Sequence, residues 1–438
     1  MTTDISTKQR IWRYRIFAIT WLAYAGFYLC RKNFSVVMPL LTEELGFSNT
    51  DFARVIFLYG LFYALGQFYN GFLSDRFGPR LIVTIGLVIS IVANILMGFG
   101  TTLMMFLILM CANGAGQSSG WSGTVKNMAT WFRRTERGVV MGWWGTCYVL
   151  GGVIASAFAT FAAVDLPLFP SLGWRRAFWA PAILLTIVGI GYALLTRNKP
   201  ADAGLPPVDE EEEDREPSPG GGSGVPETTS KEIAFRILKN PVVWTLSIMY
   251  FFLKMTRYAF IFWLPKYMVE RLGYAPGEAG YTSVLYELVG FTGAIMAGYA
   301  SDKLFQSRRM PVGALMLFGL AIACFFHPRL AAQGRLGNAI GIAIIGIMTY
   351  GPDSLMAAAG ATDAGSQRAA GFAVGFMNGV GSFGQMLSGY LVAYAADNYG
   401  WDSMFYCFTL FAAIGGCLLA LRWNWVPPTA TQQASPER

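Results

Sequence analysis

Histidine occurs once in the 438 residues, as His327. One imidazole cannot build a histidine metal site, and its place near the end of an apolar run, beside an outer loop, is poor for a proton relay. The six cysteines (Cys30, Cys111, Cys147, Cys324, Cys407 and Cys417) all fall inside apolar stretches. None pairs at metal-ligand spacing, and no secreted disulfide framework is visible. No G-x-x-x-x-G-K-[ST] run is present, so no ATP loop is expected. No nucleophile–base grouping suggests an enzyme, and no cofactor is implied. Charge is also scarce: 13% of residues are charged, about half the share in soluble domains. Much of the surface therefore never meets water. The net charge of +7 is dispersed among the ends of apolar segments, without the stripe or arm that nucleic acid requires.

What is present is apolar length. Hydrophobic residues make up 54% of the chain and glycine contributes 50 residues; membrane helices use small residues at close contacts. A span needs about 20 predominantly apolar residues, and twelve stretches qualify. They are 16–40, 51–73, 81–99, 103–127, 136–163, 175–196, 242–265, 278–300, 311–330, 338–360, 367–396 and 401–423. The first follows a short basic segment and lacks a small-residue cleavage site. It is also longer than a signal-peptide core of about 7–15 residues, so it reads as a retained span. The fold class is all-α and integral to the membrane, in two six-helix bundles.

Residues 209–230, DEEEEDREPSPGGGSGVPETTS, are acidic, rich in Pro and Gly, and free of aromatics. They cannot bury enough to fold and read as a linker. The next segment, KEIAFRILKN (231–240), alternates charge and apolar residues at helical spacing, as a helix lying on a membrane face does. The domain reading is a bundle over 1–196, a linker over 197–240, a second bundle over 241–425 and a tail over 426–438. The N-terminus, even-numbered loops and C-terminus hold about 21 Lys and Arg, against about six in the odd-numbered loops. By the positive-inside bias both termini are expected to be cytoplasmic.

The halves repeat. NGFLSDRFGPR (70–80) follows span two and AGYASDKLFQSRR (297–309) follows span eight, with Asp75 and Asp302 offset by 227. GWRRAFW (173–179) and GWDSMFY (400–406) share that offset, and Arg31 and Arg257 are offset by 226. Duplicated halves of this kind sit around an axis along the membrane normal, with the substrate site near the midplane.

In YLCRKNF (28–34), Arg31 and Lys32 interrupt the first span. At 1.5 Å per residue Arg31 lies about 22 Å in, past the middle of a core about 30 Å thick. An arginine there costs about 2.5–3.5 kcal/mol by insertion scales. Snorkelling toward headgroups is one explanation, but a repeat-matched Arg257 at similar depth argues for facing cations in one cavity. A guanidinium fork meets phosphate or carboxylate bidentately, and a phosphate monoester carries about −1.5 to −2 at pH 7. Lys254, three residues before Arg257, shares its helical face. Tyr24, Tyr28, Tyr63, Tyr258 and Tyr350 lie in the same region and are open to either packing or substrate contact. Two acids lie deep in spans eight and ten. Glu287 is expected to pair with Lys254 or Arg257 in some state of a transport cycle, or in a permanent interhelical salt bridge, and Asp353 to sit on a water-filled cavity face or tune specificity. The loops at Asp75, Arg76, Arg80 and at Asp302, Lys303, Arg308 read as latches or as topogenic charge. GAGQSSG (114–120) and Gly371, Gly375 and Gly379 read as close helix contacts.

The stretches YAGFYLCRKNFSVVMP, GWSGTVKNMATWFRRTERGVVMGWWGTCYVLGG, LYELVGFTGAIMAGYASDK and YGPDSL resemble the organophosphate:phosphate antiporter family of the major facilitator superfamily. The resemblance covers nearly all of the chain outside the linker. It implies that Arg31 and Arg257 grip a phosphoryl group, that Tyr24, Tyr28, Tyr63 and Tyr350 surround it, and that the halves rock to exchange an organophosphate for inorganic phosphate. Glycerol-3-phosphate members carry a lysine where this chain has Gln67 and a histidine where it has Tyr148, and they lack a lysine like Lys254. The resemblance with these departures favours a sugar phosphate such as glucose 6-phosphate. It implies a monomer in the lipid bilayer, in a bacterial inner membrane. A proton- or sodium-coupled organic-anion symporter using Asp353 or Glu287, and a membrane sensor of hexose phosphate, are the alternatives.

Overall fold

The computed structural model describes residues 2–206, 238–306, 308–356 and 370–425. The acidic linker, most of the 231–240 segment and the tail from residue 426 lie outside the described residues. The first helices are α1 (Thr2–Leu45), α2 (Asn49–Phe77), α3 (Pro79–Met97), α4 (Leu103–Trp131), α5 (Arg134–Trp144), α6 (Thr146–Thr160) and α7 (Arg176–Leu195). After the linker come α8 (Pro241–Leu272), α9 (Pro276–Tyr299), α10 (Arg309–Ala331), α11 (Arg335–Ser354), α12 (Ala370–Tyr399) and α13 (Ser403–Ala420). They make twelve helical passages among the described residues, matching the apolar stretches. The fifth differs from its expected unbroken form, because α5 stops and α6 starts at Gly145. Glycine is among the weakest helix formers and tolerates such a break.

Local chemistry fixes the helix ends. Asn240 caps α8 by accepting from the Val242 N–H at 2.9 Å, with Pro241 in the first turn. Gly273 ends that helix at φ 69°, a conformation that L side chains resist. Gly46, just past α1, has the same φ of 69°. Pro39 lies inside α1 and Pro265 inside α8, each eight residues after the matching arginine. The repeat read from charge is therefore also a repeat of backbone punctuation.

The chain divides into two compact units. One comprises 1–41 and 58–227, the other 42–57 and 228–438. In the first, α3 packs against α4 and α7. In the second, α9 packs against α11, α12 against α8, and α10 against α11 and α13. Glycine allows the tightest crossings. A Cβ on Gly293 would stand 2.1 Å from the Ile347 carbonyl oxygen, and one on Gly346 2.3 Å from that of Tyr286. The outward faces are apolar: Leu81, Ile85, Val88 and Val92 on α3, and Ile183, Ile187, Ile190 and Leu194 on α7, are all exposed. Each set repeats at four, three and four residues, a single helical face.

Seven passages are long and apolar enough to cross a membrane by composition. The remaining five, α1, α4, α8, α11 and α12, carry buried polar or charged side chains. Among these are Arg31, Gln117, Lys254, Asp353 and Gln385. Helices that lipid does not fully surround need not have lipid-like composition.

Candidate functional site

Arg31 does not snorkel. It is only 4% exposed, and its Nε donates to Gln117 Oε1 on α4 at 2.8 Å. Its guanidinium carbon lies 4.6 Å from the Tyr28 ring centre, 5.0 Å from that of Tyr63 and 6.0 Å from that of Tyr59. Tyr59 donates its hydroxyl to the same Gln117 oxygen at 2.9 Å. These groups are neutral, so they hold the cation by hydrogen bonding and ring quadrupoles without discharging it. Arg31 Nη2 is buried with no hydrogen-bond partner among the described residues. A buried N–H of a charged group is costly when unmet, and this one is available to an anion.

The Gln117 amide is itself fixed. Its Nε2 donates to the Cys30 carbonyl at 3.1 Å and to Asn113 Oδ1 at 3.0 Å. Asn113 donates to the same carbonyl at 2.8 Å. Asn33 donates to Asn94 Oδ1 at 2.8 Å and to the Ala177 carbonyl at 3.1 Å. This amide network ties α1 to α3, α4 and α7 around the turn that carries Arg31. Gln117 was not legible as a site residue, because it lies within GAGQSSG. Its neighbours do make the close contacts that stretch suggested: a Cβ on Gly114 would meet the Tyr59 carbonyl oxygen at 2.5 Å, and one on Gly116 that of Gly86 at 2.8 Å.

In the second unit Arg257 Nη1 donates to Asp353 Oδ2 at 2.7 Å, with both side chains nearly buried. Its guanidinium lies 4.7 Å from the Tyr350 ring and 5.8 Å from that of Tyr258. Tyr350 donates its hydroxyl to Glu287 Oε1 at 3.3 Å, and a Cβ on Gly290 would stand 2.6 Å from the Tyr350 ring. Lys254 Nζ donates to the Asn378 carbonyl at 3.5 Å and to its Oδ1 at 3.3 Å, and lies 4.9 Å from the Tyr250 ring. Arg257 is thus bonded to the Asp353 carboxylate, a pairing the sequence did not show. The cause is register. On α11, Tyr350 and Asp353 are three apart and share a face, so one helix supplies both the ring and the acid.

The other expected residues fall into place around these two centres. Tyr24 is buried in an aromatic cluster, 5.2 Å from Trp121 and 5.7 Å from Trp144 by ring centres. Tyr148, half-buried, packs against the same cluster. Gln67 is half-buried on α2, one turn beyond Tyr63. Asp75 pairs with Lys126 on α4, a partner the sequence did not show. The Arg80 N–H donates to Asn198 Oδ1 at 2.9 Å and its Nε to the Ala193 carbonyl at 2.8 Å. Arg76 lies over the Phe77 ring at 5.3 Å. Asp302 and Lys303 are exposed in a π-helical turn over Ala300–Leu304, and Arg308 caps α10.

His327 lies one turn before the end of α10, near the following loop, and is fully buried, its ring 4.4 Å from that of Phe405. One expectation is corrected. A Cβ on Gly375 or Gly379 would meet nothing within 4 Å. The close approach of α12 to α8 comes at Gly381 and Gly384 instead, where an added Cβ would meet the Tyr250 ring at 2.7 Å and the Phe251 carbonyl oxygen at 2.1 Å. The side chain of Gly371 lies outside the described residues.

Twelve helical passages among the described residues, with apolar outward faces, define a multi-pass membrane protein. The Major Facilitator Superfamily model matches residues 20–370. A glycerol-3-phosphate transporter of Bacillus subtilis is 32% identical over 94% of this chain and 92% of its own length. A probable hexose phosphate transport protein of Chlamydia pneumoniae is 29% identical over 96% and 93%. The membrane sensor protein UhpC of Escherichia coli is 31% identical over 95% and 93%. The chain belongs to the major facilitator superfamily and, within it, to the organophosphate:phosphate antiporter family.

Proposed function

We propose that this protein exchanges an organophosphate, most closely a sugar phosphate such as glucose 6-phosphate, for inorganic phosphate by alternating access, and that Arg31 and Arg257 are the phosphate ligands. The observation that carries this is Arg31: buried, held by neutral partners, and with Nη2 unmet among the described residues. A phosphate dianion satisfies that donor and compensates charge in a low-dielectric setting. Exchange follows if the carrier reorients readily only with an anion aboard. An empty carrier retains uncompensated cations, and a ligand drives a change only through differential binding to its two states. Gln67, Tyr148 and Lys254, where the resemblance shows other residue types in glycerol-3-phosphate carriers, point to a bulkier ester. Tyr24, Tyr28, Tyr63 and Tyr350 are proposed to line it. The loops at Asp75–Arg80 and Asp302–Arg308 are proposed as cytoplasmic latches, with both termini on that side.

Phosphate-loaded liposomes containing the purified protein test this with a panel of glucose, triose and glycerol phosphates. Exchange is expected without a proton gradient, and lost in Arg31→Ala and in Arg257→Ala with the proteins still folded. Wild-type flux in either variant overturns the ligand assignment, and collapse of flux when the proton gradient is removed favours symport. The relative named a membrane sensor favours a second reading, detection without transport. Ligand binding with no measurable flux selects it.

A further inference from the structure

The two arginines are held differently. Arg31 has a neutral amide against its Nε, whereas Arg257 is bonded to a carboxylate. Guanidinium–carboxylate is the kind of pair a substrate phosphate must replace, because both anions seek the same N–H donors. We propose that Asp353 is an internal competitor for the phosphoryl group. It holds Arg257 when phosphate is absent and re-pairs with Lys254 when phosphate takes Arg257. This deepens the functional reading above and rests on Arg257 being a phosphate ligand.

Geometry supports the handover. Phosphate could not displace Asp353 cheaply if the carboxylate were left alone, since an uncompensated buried charge costs several kcal/mol. Lys254 precedes Arg257 by three residues on α8, on the same face. It is buried, and its hydrogen-bond acceptors are the neutral oxygens of Asn378 at 3.3 and 3.5 Å. Charge-assisted N–H···O bonds run about 2.7–2.9 Å, so Lys254 has better bonding available from a carboxylate than it has now. Arg257, which holds Asp353 now, and Lys254 are neighbours one helical turn apart, so the carboxylate passes between adjacent side chains. No proton moves and no charge is created: one anion arrives at Arg257, and the resident carboxylate passes to the neighbouring cation. Gln117 provides the contrast, because an amide on Arg31 offers no such competition.

The test is calorimetric titration of inorganic phosphate into the full-length purified protein. The variants are Asp353→Asn, Lys254→Met and the pair together. Asp353→Asn is expected to bind phosphate about tenfold more tightly and Lys254→Met about tenfold more weakly. In the double variant the loss is expected to be reversed, because no carboxylate is left to strand. A purely structural role for Asp353 would weaken binding and would not produce the reversal. Lys254→Met binding as wild type does, or a double variant no better than Lys254→Met, overturns the proposal. The first of these outcomes decides the matter even if Asp353→Asn fails to fold. If the wild type itself binds neither phosphate nor glucose 6-phosphate, the parent reading falls and takes this one with it. Wild-type binding with Lys254→Met unchanged removes this proposal alone.

Discussion

A buried guanidinium has five N–H groups to satisfy, and which neighbours satisfy them decides what the arginine can do. Around Arg31 the decisive neighbour is Gln117, whose one oxygen serves both Arg31 Nε and the Tyr59 hydroxyl. Gln117→Leu strands both donors, at about 1–3 kcal/mol of desolvation. Phosphate affinity is expected to fall about tenfold through lost positioning, in a protein that still folds. Gln117→Glu does something different, setting on Arg31 the kind of competitor that Arg257 already has. It is expected to raise the KM for phosphate further than the leucine does. Equal KM values for the two variants in liposome exchange would count against positioning by Gln117. This residue also marks where sequence reasoning stopped. Arg31 and Arg257 stand out because a cation within an apolar run has no cheap explanation. A glutamine among Gly and Ser on α4 is ordinary, and only the side-by-side packing of α1 and α4 gives it a role. The bond between Asp353 and Arg257 has the same origin: both side chains were visible, but their meeting depends on how α11 aligns against α8.

Helix positions were legible because apolar length and glycine or proline punctuation are local properties. Contact register was not. The i, i+4, i+8 glycines of α12 were a reasonable contact stripe, yet α8 touches the helix further along. The contrast makes a direct prediction. Gly384→Ala drives a Cβ toward a backbone oxygen 2.1 Å away, and backbone cannot step aside as a side chain can. A clear drop in thermal stability is expected, about 1–3 kcal/mol in the manner of overpacked cores. Gly375→Ala and Gly379→Ala meet open space and gain up to about 1 kcal/mol of helix propensity. Thermal unfolding of the three detergent-purified variants, followed by size exclusion, checks the order. A second prediction concerns the start of α5, ahead of the apolar window Val140–Asp165. There the bond from Arg13 holds the Glu136 carboxyl below its ordinary value of 4.5. A carboxyl depressed by folding stabilises above its unfolded pKa, and the benefit disappears as pH falls below about 4.5. The pair is partly exposed, so its worth is the surface value of about 0.2–1 kcal/mol. Glu136→Gln is expected to lower stability slightly at pH 7 and by less as pH falls below 4.5. A deficit independent of pH would show that the glutamate acts by packing.

At the scale of the whole chain, the compact units do not follow the linker alone. Residues 42–57 precede it by far, yet they group with the second unit. Lys266 is the most buried cation there, with 1% of its side chain exposed. It pairs with Glu270, donates to Thr42 Oγ1 at 2.6 Å and lies 5.0 Å from the Phe52 ring. Nearby, Asn49 donates to Asp397 at 2.6 Å, and Ala53 is buried against Gly389. Under the alternating access proposed above, this attachment is expected to belong to one state, so that weakening it shifts the balance of states. Lys266→Met keeps the bulk and removes the cation, freeing Thr42 and Phe52. A cysteine introduced by Ala53→Cys reports the outcome, because a maleimide reaches it only when α2 leaves Gly389. Labelling is expected to rise several-fold in Lys266→Met over the Ala53→Cys parent, each normalised to the total thiol labelled after denaturation. Phosphate affinity is expected to change less than threefold, since Lys266 lies nine residues beyond Arg257, about 13 Å along the helix. Unchanged labelling would mean that the buried lysine only packs, and that the state change is controlled elsewhere in the chain.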